Sequence, residues 1–154
     1  MDKGEKFEIL IEKLYRKMGY KVERRKVLRG MSGAYHEIDL YAYKNFLSKK
    51  IAIECKWREN LEVGKKELAN FFLVLQDTKI KEGHMVTNSF YSKQAKVLAK
   101  SYGIKLIDGG MLKKLLKKYS LDAELPLQDF SFTKILESLI FPAIDFLNYN
   151  GIIY

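Results

Sequence analysis

The sequence has little cysteine, proline and histidine. Its 154 residues include one cysteine, two prolines and two histidines. A single cysteine, Cys55, excludes an intrachain disulfide framework and a cysteine-based zinc cluster, and it is typical of proteins from a reducing compartment. We therefore expect a cytoplasmic protein. The separation of His36 and His84 offers no ligand pattern, which argues against a zinc site or a histidine general base.

A long uninterrupted apolar run is also missing. The most apolar stretch, residues 135–147, contains Glu137, Pro142 and Asp145 and is shorter than the ~20 residues that a membrane-spanning helix needs. The N-terminus is charged and lacks the apolar core of a signal peptide. We expect no transmembrane segment and no membrane partner.

Positive charge is in excess. Lys and Arg outnumber Asp and Glu by 28 to 19, which gives a formal net charge of +9. An excess of this size in a small domain attracts polyanions, with nucleic acid first and an anionic membrane surface second. A lysine-rich surface without a partner is the alternative. The length suits a single domain with a full hydrophobic core.

Apolar periodicity predicts the order of the elements as αβββαβαβα. Apolar residues recur at helical spacing over residues 5–18, and two-residue alternation predicts strands over 35–43 and 51–58. A helix over 63–78 followed by a short strand over 84–87 implies a crossover onto a parallel neighbour. These patterns indicate an α/β fold.

The chain changes character near residue 120. We expect one domain at residues 1–119 and a C-terminal helical extension at 120–154, which is rich in large apolar and aromatic side chains. Such a surface is usually covered, so the extension is expected to pack on the core or on a second subunit. A homodimer through this apolar segment is therefore one interpretation.

Three charged residues on two neighbouring strands could carry chemistry. Asp39 and Glu54 would lie side by side in a hairpin, and Lys56, two residues beyond Glu54, would share its face. We expect Asp39 to face away from Ile38 and Leu40. Paired carboxylates are ligands for Mg²⁺, and an adjacent ammonium can orient a metal-bound water or stabilise a negative transition state. The alternative is an exposed hairpin with ordinary cross-strand Glu and Lys pairs.

The surrounding residues resemble those of a known family. The matching segments are GEKFE at 4–8 with MGYKVE at 18–23, EIDL at 37–40 with IECKW at 53–57, HMVTNSF at 84–90, and IKLIDGG at 104–110. In this order and spacing they resemble the Mrr-like branch of the restriction-endonuclease-like, or PD-(D/E)xK, nucleases. That family's signature is an acid on one strand and [Asp/Glu]-x-Lys on the next. The family's proline before the strand acid is absent here, and Ile38 takes its place.

The resemblance implies a nuclease domain with an αβββαβ core, in which helices flank a mixed central sheet. It also implies a DNA substrate and a Mg²⁺ cofactor for which Mn²⁺ can substitute. It implies that Asp39, Glu54 and the backbone carbonyl of Cys55 hold the metal and that Lys56 acts on the attacking water. Glu8 matches a first-helix acid that often faces the site in this family. A solvated helical glutamate is the alternative for Glu8, because Glu5 and Glu12 compete for the role.

Basic residues near the predicted site in sequence could contact phosphates, which would fix position without reading the base sequence. The candidates are Arg29, Lys50, Arg58, Lys65 and Lys66. The sequence thus predicts a Mg²⁺-dependent deoxyribonuclease, most simply an endonuclease. Two alternatives stay open: a structure-selective nuclease resembling a Holliday-junction resolvase, and a non-catalytic DNA-binding module with the same fold.

Overall fold

The computed structural model describes residues 1–124 of the chain. The predicted extension over 120–154, with its predicted dimer interface, lies almost wholly outside these residues. Within the described part, four helices and five strands follow one another in the predicted order αβββαβαβα. A short 3₁₀ helix comes next, at Asp122–Glu124. The elements are α1 (Lys3–Lys17), β1 (Lys21–Arg29), β2 (Tyr35–Tyr43), β3 (Ile51–Lys56), α2 (Lys65–Thr78), β4 (Glu82–Thr87), α3 (Lys93–Tyr102), β5 (Lys105–Ile107) and α4 (Gly109–Lys118).

The five strands form one mixed sheet in the order β1-β2-β3-β4-β5. β1, β2 and β3 are antiparallel neighbours, whereas β3, β4 and β5 run parallel to one another. The parallel pairs require crossovers, which α2 and α3 supply. The expectation of a mixed sheet flanked by helices is confirmed.

Helices cover both faces of the sheet and create two hydrophobic clusters. The first cluster contains Phe7 and Ile11 of α1 and Leu112 of α4. The second contains Leu68 and Phe71 of α2, together with side chains of α3. The sheet therefore lies between two helical layers, α1 with α4 on one side and α2 with α3 on the other, which is the layer arrangement of an α/β domain.

The β1–β2 hairpin changes layers part of the way along its length. Leu40 packs in the first cluster, but Ile38 packs in the second. The expectation that these two residues share a face is therefore wrong. The change occurs at Arg25 and Asp39, which are left unpaired between β1 and β2. Arg25 has a φ of 50°. A left-handed residue interrupts the regular pleat of a strand, so alternation cannot be extrapolated across it.

A side-chain clasp joins the β1–β2 turn to the end of α2. Asp77 accepts hydrogen bonds from the backbone N–H of Ser32 at 2.8 Å and from its hydroxyl at 2.7 Å. Nε2 of His36 lies 2.6 Å from the same carboxylate. Gly30 lies against this carboxylate. A Cβ at this position would lie 1.9 Å from Oδ2 of Asp77, so any other residue would displace the clasp.

The chain beyond α4 stays in contact with the core as far as it is described. Leu121 is buried in the first cluster, and Oε2 of Glu124 lies 2.7 Å from Nζ of Lys13. The division at residue 119 stays a prediction. No helix within residues 1–124 combines the length and the apolar character needed to cross a membrane.

Candidate active site

Asp39 lies at the junction of β2 and β3. The register pairs Leu40 with Ile53, so Asp39 and Glu54 are the next positions across from each other. Oδ2 of Asp39 accepts a hydrogen bond of 2.8 Å from the backbone N–H of Cys55. This bond fixes the Asp39 carboxylate against the end of β3, beside the strand that carries the other two predicted residues.

The surroundings of Asp39 oppose its negative charge. Burial raises the pKa of this carboxyl most, the charge of Glu54 raises it further, and the pKa reaches about 7. The hydrogen bond from Cys55 and the charge of Lys56 act in the opposite direction without cancelling the effect. Desolvation and a nearby like charge both disfavour an ionised carboxylate. A cation placed between Asp39 and Glu54 would relieve both effects.

Glu54 and Lys56 form an ion pair on one face of β3. Nζ of Lys56 lies 2.5 Å from Oε1 of Glu54, and both side chains are partly exposed. Burial lowers the pKa of Lys56, but the charge and hydrogen bond of Glu54 outweigh it and leave the pKa raised. The structure thus brings Asp39, Glu54 and Lys56 together, with Lys56 as a protonated ammonium at neutral pH.

Glu8 reaches the same region from α1. Its Oε2 lies 3.4 Å from Nε of Arg25, and its charge contributes to the raised pKa of Asp39. Glu5 and Glu12 also face the arginines of β1, with Arg24 between 3.7 and 3.8 Å from all three helix acids. Glu8 is therefore neither freely solvated nor isolated from the site: it is paired with cations and lies near Asp39.

Cys55 and Trp57 point away from the charged residues. Both pack against the first cluster, and the Trp57 ring meets Phe7 edge-on with centroids 5.6 Å apart. Burial raises the pKa of the Cys55 thiol well above its usual value. A thiol held in its protonated form is a poor nucleophile, so the side chain of Cys55 serves in packing.

The sequence interpretation missed two residues that hold the chain just after β3. The hydroxyl of Thr87 donates to the carbonyl of Lys56 at 2.7 Å. The amide of Asn88 accepts from the N–H of Arg58 and donates to its carbonyl, each at 2.8 Å. Both side chains are buried. Their polar character at the end of an apolar strand was the available signal, but their partners lie some 30 positions earlier in the chain.

The predicted DNA contacts do not form one group. Arg58 is paired with Glu67 at 2.9 Å, and Lys65 and Lys66 begin α2, the element that follows the active-site end of β3. Lys50 immediately precedes β3, so it lies ~13 Å from Glu54 along an extended strand. Arg29 closes β1 and, with Lys50, lines a separate concavity.

The donor set fits a hard cation that keeps most of its water. Within residues 1–124, no group of three or more His, Cys, Asp or Glu side chains is arranged to hold a metal ion. Mg²⁺ needs only one or two carboxylates, because it retains several waters. Asp39, Glu54 and the carbonyl of Cys55 are oxygen donors of the kind that Mg²⁺ prefers.

Comparison with protein families gives one match across most of the chain. The family model Mrr_cat, described as restriction endonuclease, matches residues 1–116. No curated protein matches the chain.

Solved structures share the fold at low sequence identity. A protein of unknown function, AF1548, is 22% identical over 73% of this chain and 65% of its own, with a TM-score of 0.67. A repair endonuclease from Pyrococcus abyssi is 17% identical over 70% of this chain and 47% of its own, with a TM-score of 0.50. The MspJI restriction endonuclease, in complex with a 27-mer oligonucleotide, is 18% identical over 93% of this chain and 32% of its own, with a TM-score of 0.53. The chain thus spans between a third and two thirds of these proteins.

Proposed function

The chain belongs to the Mrr_cat restriction endonuclease family, and from this premise we propose that it is a metal-dependent endonuclease that hydrolyses the phosphodiester bonds of DNA. Mg²⁺ is the proposed cofactor, with Mn²⁺ able to substitute. One observation carries the proposal: Asp39, Glu54 and Lys56 meet at the end of β3, where the carboxyl of Asp39 is buried beside a second acid.

This concentration of charge suits cation binding and is hard to explain otherwise. Burying a carboxylate beside a like charge is unfavourable. A neutral residue in place of either acid would avoid this cost, so stability alone does not explain the pair. The N–H of Cys55 nevertheless holds Asp39 at the end of β3, where the charge of Glu54 acts on it. We assign Asp39, Glu54 and the Cys55 carbonyl to metal binding.

Each residue then has a defined role in hydrolysis. A bound divalent ion supplies charge neutralisation at the phosphate and lowers the pKa of a coordinated water. Lys56 orients the attacking water and offsets negative charge that develops on the phosphoryl oxygens. Glu54 holds Lys56 in place through their shared contact. Glu8 adds negative charge near Asp39, and we assign it an auxiliary role in the site.

DNA is the proposed substrate on two grounds. The net charge of +9 favours association with a polyanion. A structure with this fold, MspJI, is a restriction endonuclease bound to an oligonucleotide. The two remaining alternatives are a nuclease selective for branched DNA, as resolvases are, and a binding module without activity.

Cleavage of a panel of DNA substrates tests the proposal. Purified protein is incubated with supercoiled, linear, single-stranded and four-way-junction DNA, with Mg²⁺, with Mn²⁺ or with a chelator. We expect cleavage of the duplexes with either metal and none with the chelator. Lys56→Ala and Asp39→Ala should abolish cleavage. Lys114→Ala, an exposed lysine on α4, serves as the control and should cleave normally.

The alternatives give different results in the same assay. Cleavage confined to the four-way junction would replace the proposal with the structure-selective nuclease. Binding of all substrates without cleavage in any metal would support the binding module. Cleavage by Lys56→Ala at the rate of the unaltered protein would remove Lys56 from the mechanism.

A further inference from the structure

A strongly basic concavity lies away from the proposed active site. It has a volume of about 420 Å³ and is formed by the end of β1, the β2–β3 loop and the segment after α2. Tyr41 and Ile80 contribute to its lining. We call it the basic groove and define it by its five cations: Arg29, Lys49, Lys50, Lys79 and Lys81.

In the described part of the chain, the cations of the basic groove have no carboxylate partner. No aspartate or glutamate lines it, and within residues 1–124 none of its five cations forms an ion pair with a carboxylate. Arg29, Lys49, Lys79 and Lys81 are exposed. Lys50 is partly buried and turned toward the loop, with Nζ 3.0 Å from the carbonyl of Phe46.

The arginines around the proposed active site, by contrast, are paired with acids. Arg24 and Arg25 face the acids of α1, and Arg58 is paired with Glu67. The concavity between the beginnings of α2 and α3, where Lys65 and Lys66 lie, also contains Glu62 and Glu67. A cluster of like charges without a counter-charge is unfavourable in the free protein, and a bound polyanion would offset it.

We propose that the basic groove is a second contact for the phosphodiester backbone of nucleic acid, distinct from the contacts at the cleavage site. The inference rests on the proposed function for the identity of the polyanion, but not on cleavage itself. Lys50 lies ~13 Å from Glu54 along β3, and α2 spans ~21 Å from the active-site end to Lys79. For a duplex that lies along β3, these distances place the groove roughly 4–6 base pairs from the scissile bond, at ~3.4 Å per pair.

The position of the groove gives it a particular role. Lysine and arginine contacts to phosphates set the register of a duplex without reading its sequence. A contact several base pairs from the cleaved bond would lengthen the DNA that the enzyme requires and would add to the salt dependence of binding. It would leave the chemistry at Asp39, Glu54 and Lys56 unchanged.

Binding in the presence of a chelator tests the groove without cleavage. The affinity of the full chain for a labelled duplex of about 20 base pairs is measured by fluorescence anisotropy over a range of salt concentrations. The test variant is Lys49→Glu with Lys81→Glu, and the matched control is Lys114→Glu with Lys117→Glu on α4. All four lysines are exposed, and both variants change the net charge equally.

We expect the groove variant to bind roughly 10- to 100-fold more weakly and its plot of log affinity against log salt to lose about 2 from the slope, because each lost phosphate contact removes about 1. The α4 control should keep the slope of the unaltered protein. The neutral pair Lys49→Gln and Lys81→Gln should show the same change of slope. This neutral variant keeps the test valid if charge reversal lowers the melting temperature of the protein.

Three results would overturn the inference. Equal weakening by both charge-reversed variants would show a general effect of net charge. An unchanged slope in the groove variants would show that the groove does not contact the duplex. If the groove variant no longer bound vesicles of phosphatidylserine and phosphatidylcholine but still bound the duplex, the groove would be assigned to a membrane surface. A protein that loses slope in the groove variant but never cleaves DNA would retain this inference and lose the proposed function.

Discussion

Nζ of Lys56 lies 2.5 Å from Oε1 of Glu54. The residue proposed to stabilise the transition state therefore contacts a proposed metal ligand directly. Glu54 raises the pKa of Lys56 against the lowering effect of burial. The pair keeps the ammonium charged and directs it to the side of β3 on which Asp39 meets Glu54. Substituting Lys56 alone removes the proposed catalytic charge and leaves Glu54 available to bind the metal, so the two roles can be tested separately.

Lys56→Met removes the charge and keeps most of the volume. We expect DNA cleavage to fall by about 10²–10³-fold, because a positive group that stabilises the transition state is lost. The affinity for Mn²⁺, measured by titration calorimetry, should be unchanged or higher, since Glu54 no longer has a competing cation. Lys114→Met is the control. Loss of Mn²⁺ binding in Lys56→Met would contradict the separation of roles.

Asp39→Asn removes one proposed ligand while keeping an oxygen that can accept from the N–H of Cys55. We expect Mg²⁺ to raise the melting temperature of the unaltered protein, because a ligand that binds the folded state stabilises it. This increase should be absent in Asp39→Asn, and cleavage should be lost.

In chelator at pH 8, Asp39→Asn should melt at the same temperature as the unaltered protein or higher. The substitution removes a buried charge that the Glu54 carboxylate opposes. Asp122→Asn, an exposed aspartate outside the site, should change neither value. A metal-dependent increase of normal size in Asp39→Asn would remove Asp39 from the ligand set.

Glu8→Gln tests whether the first helix contributes an acid to the site. We expect a decrease in cleavage rate of roughly 10-fold, less than the ~10²–10⁴-fold effect of a direct general acid or base, because Glu8 acts on the site through its charge. Glu5→Gln and Glu12→Gln are matched controls, because both also face Arg24 from α1. Cleavage assays at saturating Mg²⁺ compare the three variants. Equal effects of all three variants would show that Glu8 affects cleavage only through its pairing with the arginines of β1.

Asp77→Asn tests the clasp between the β1–β2 turn and α2. Hydrogen bonds from Ser32 and His36 lower the pKa of Asp77 to about 2. A carboxylate with a depressed pKa stabilises the folded state above its unfolded pKa, and this contribution is lost as the pH falls through the folded value. The melting temperature of Asp77→Asn should thus be lower than that of the unaltered protein at pH 6, and the difference should shrink between about pH 4 and 2. A constant difference across this range would show that the charge of Asp77 is not involved.

Asn88→Ala tests the amide that holds the chain after β3. It leaves the partly buried N–H and carbonyl of Arg58 without the Asn88 amide, which costs roughly 1–3 kcal/mol in the free energy of unfolding. Urea denaturation measures the loss. Gln94→Ala, on the exposed surface of α3, should change the free energy by less than about 0.5 kcal/mol. A change of that small size in Asn88→Ala would contradict a holding role.

The order of the elements and the two strands of the site could be predicted because they depend on local patterns. Alternation over residues 35–43 gives β2 the bounds that the structure shows, and the spacing of Glu54 and Lys56 already places them on one face. Helix ends were less predictable. The helix predicted over 63–78 begins at Lys65, because Gly64 is its N-cap and Val63 lies in a bridge with Tyr91.

What the sequence determined by itself was therefore the α/β framework and the identity of the three charged residues, since hydrophobic periodicity and side-chain chemistry are properties of short segments. Only the tertiary structure decided where those segments meet. The change of layers at Arg25 and Asp39 depends on a backbone angle, and the bonds from Asn88 to Arg58 depend on a crossover. The basic groove is assembled from three distant segments, whose lysines become a single charged surface only when the sheet and α2 pack together.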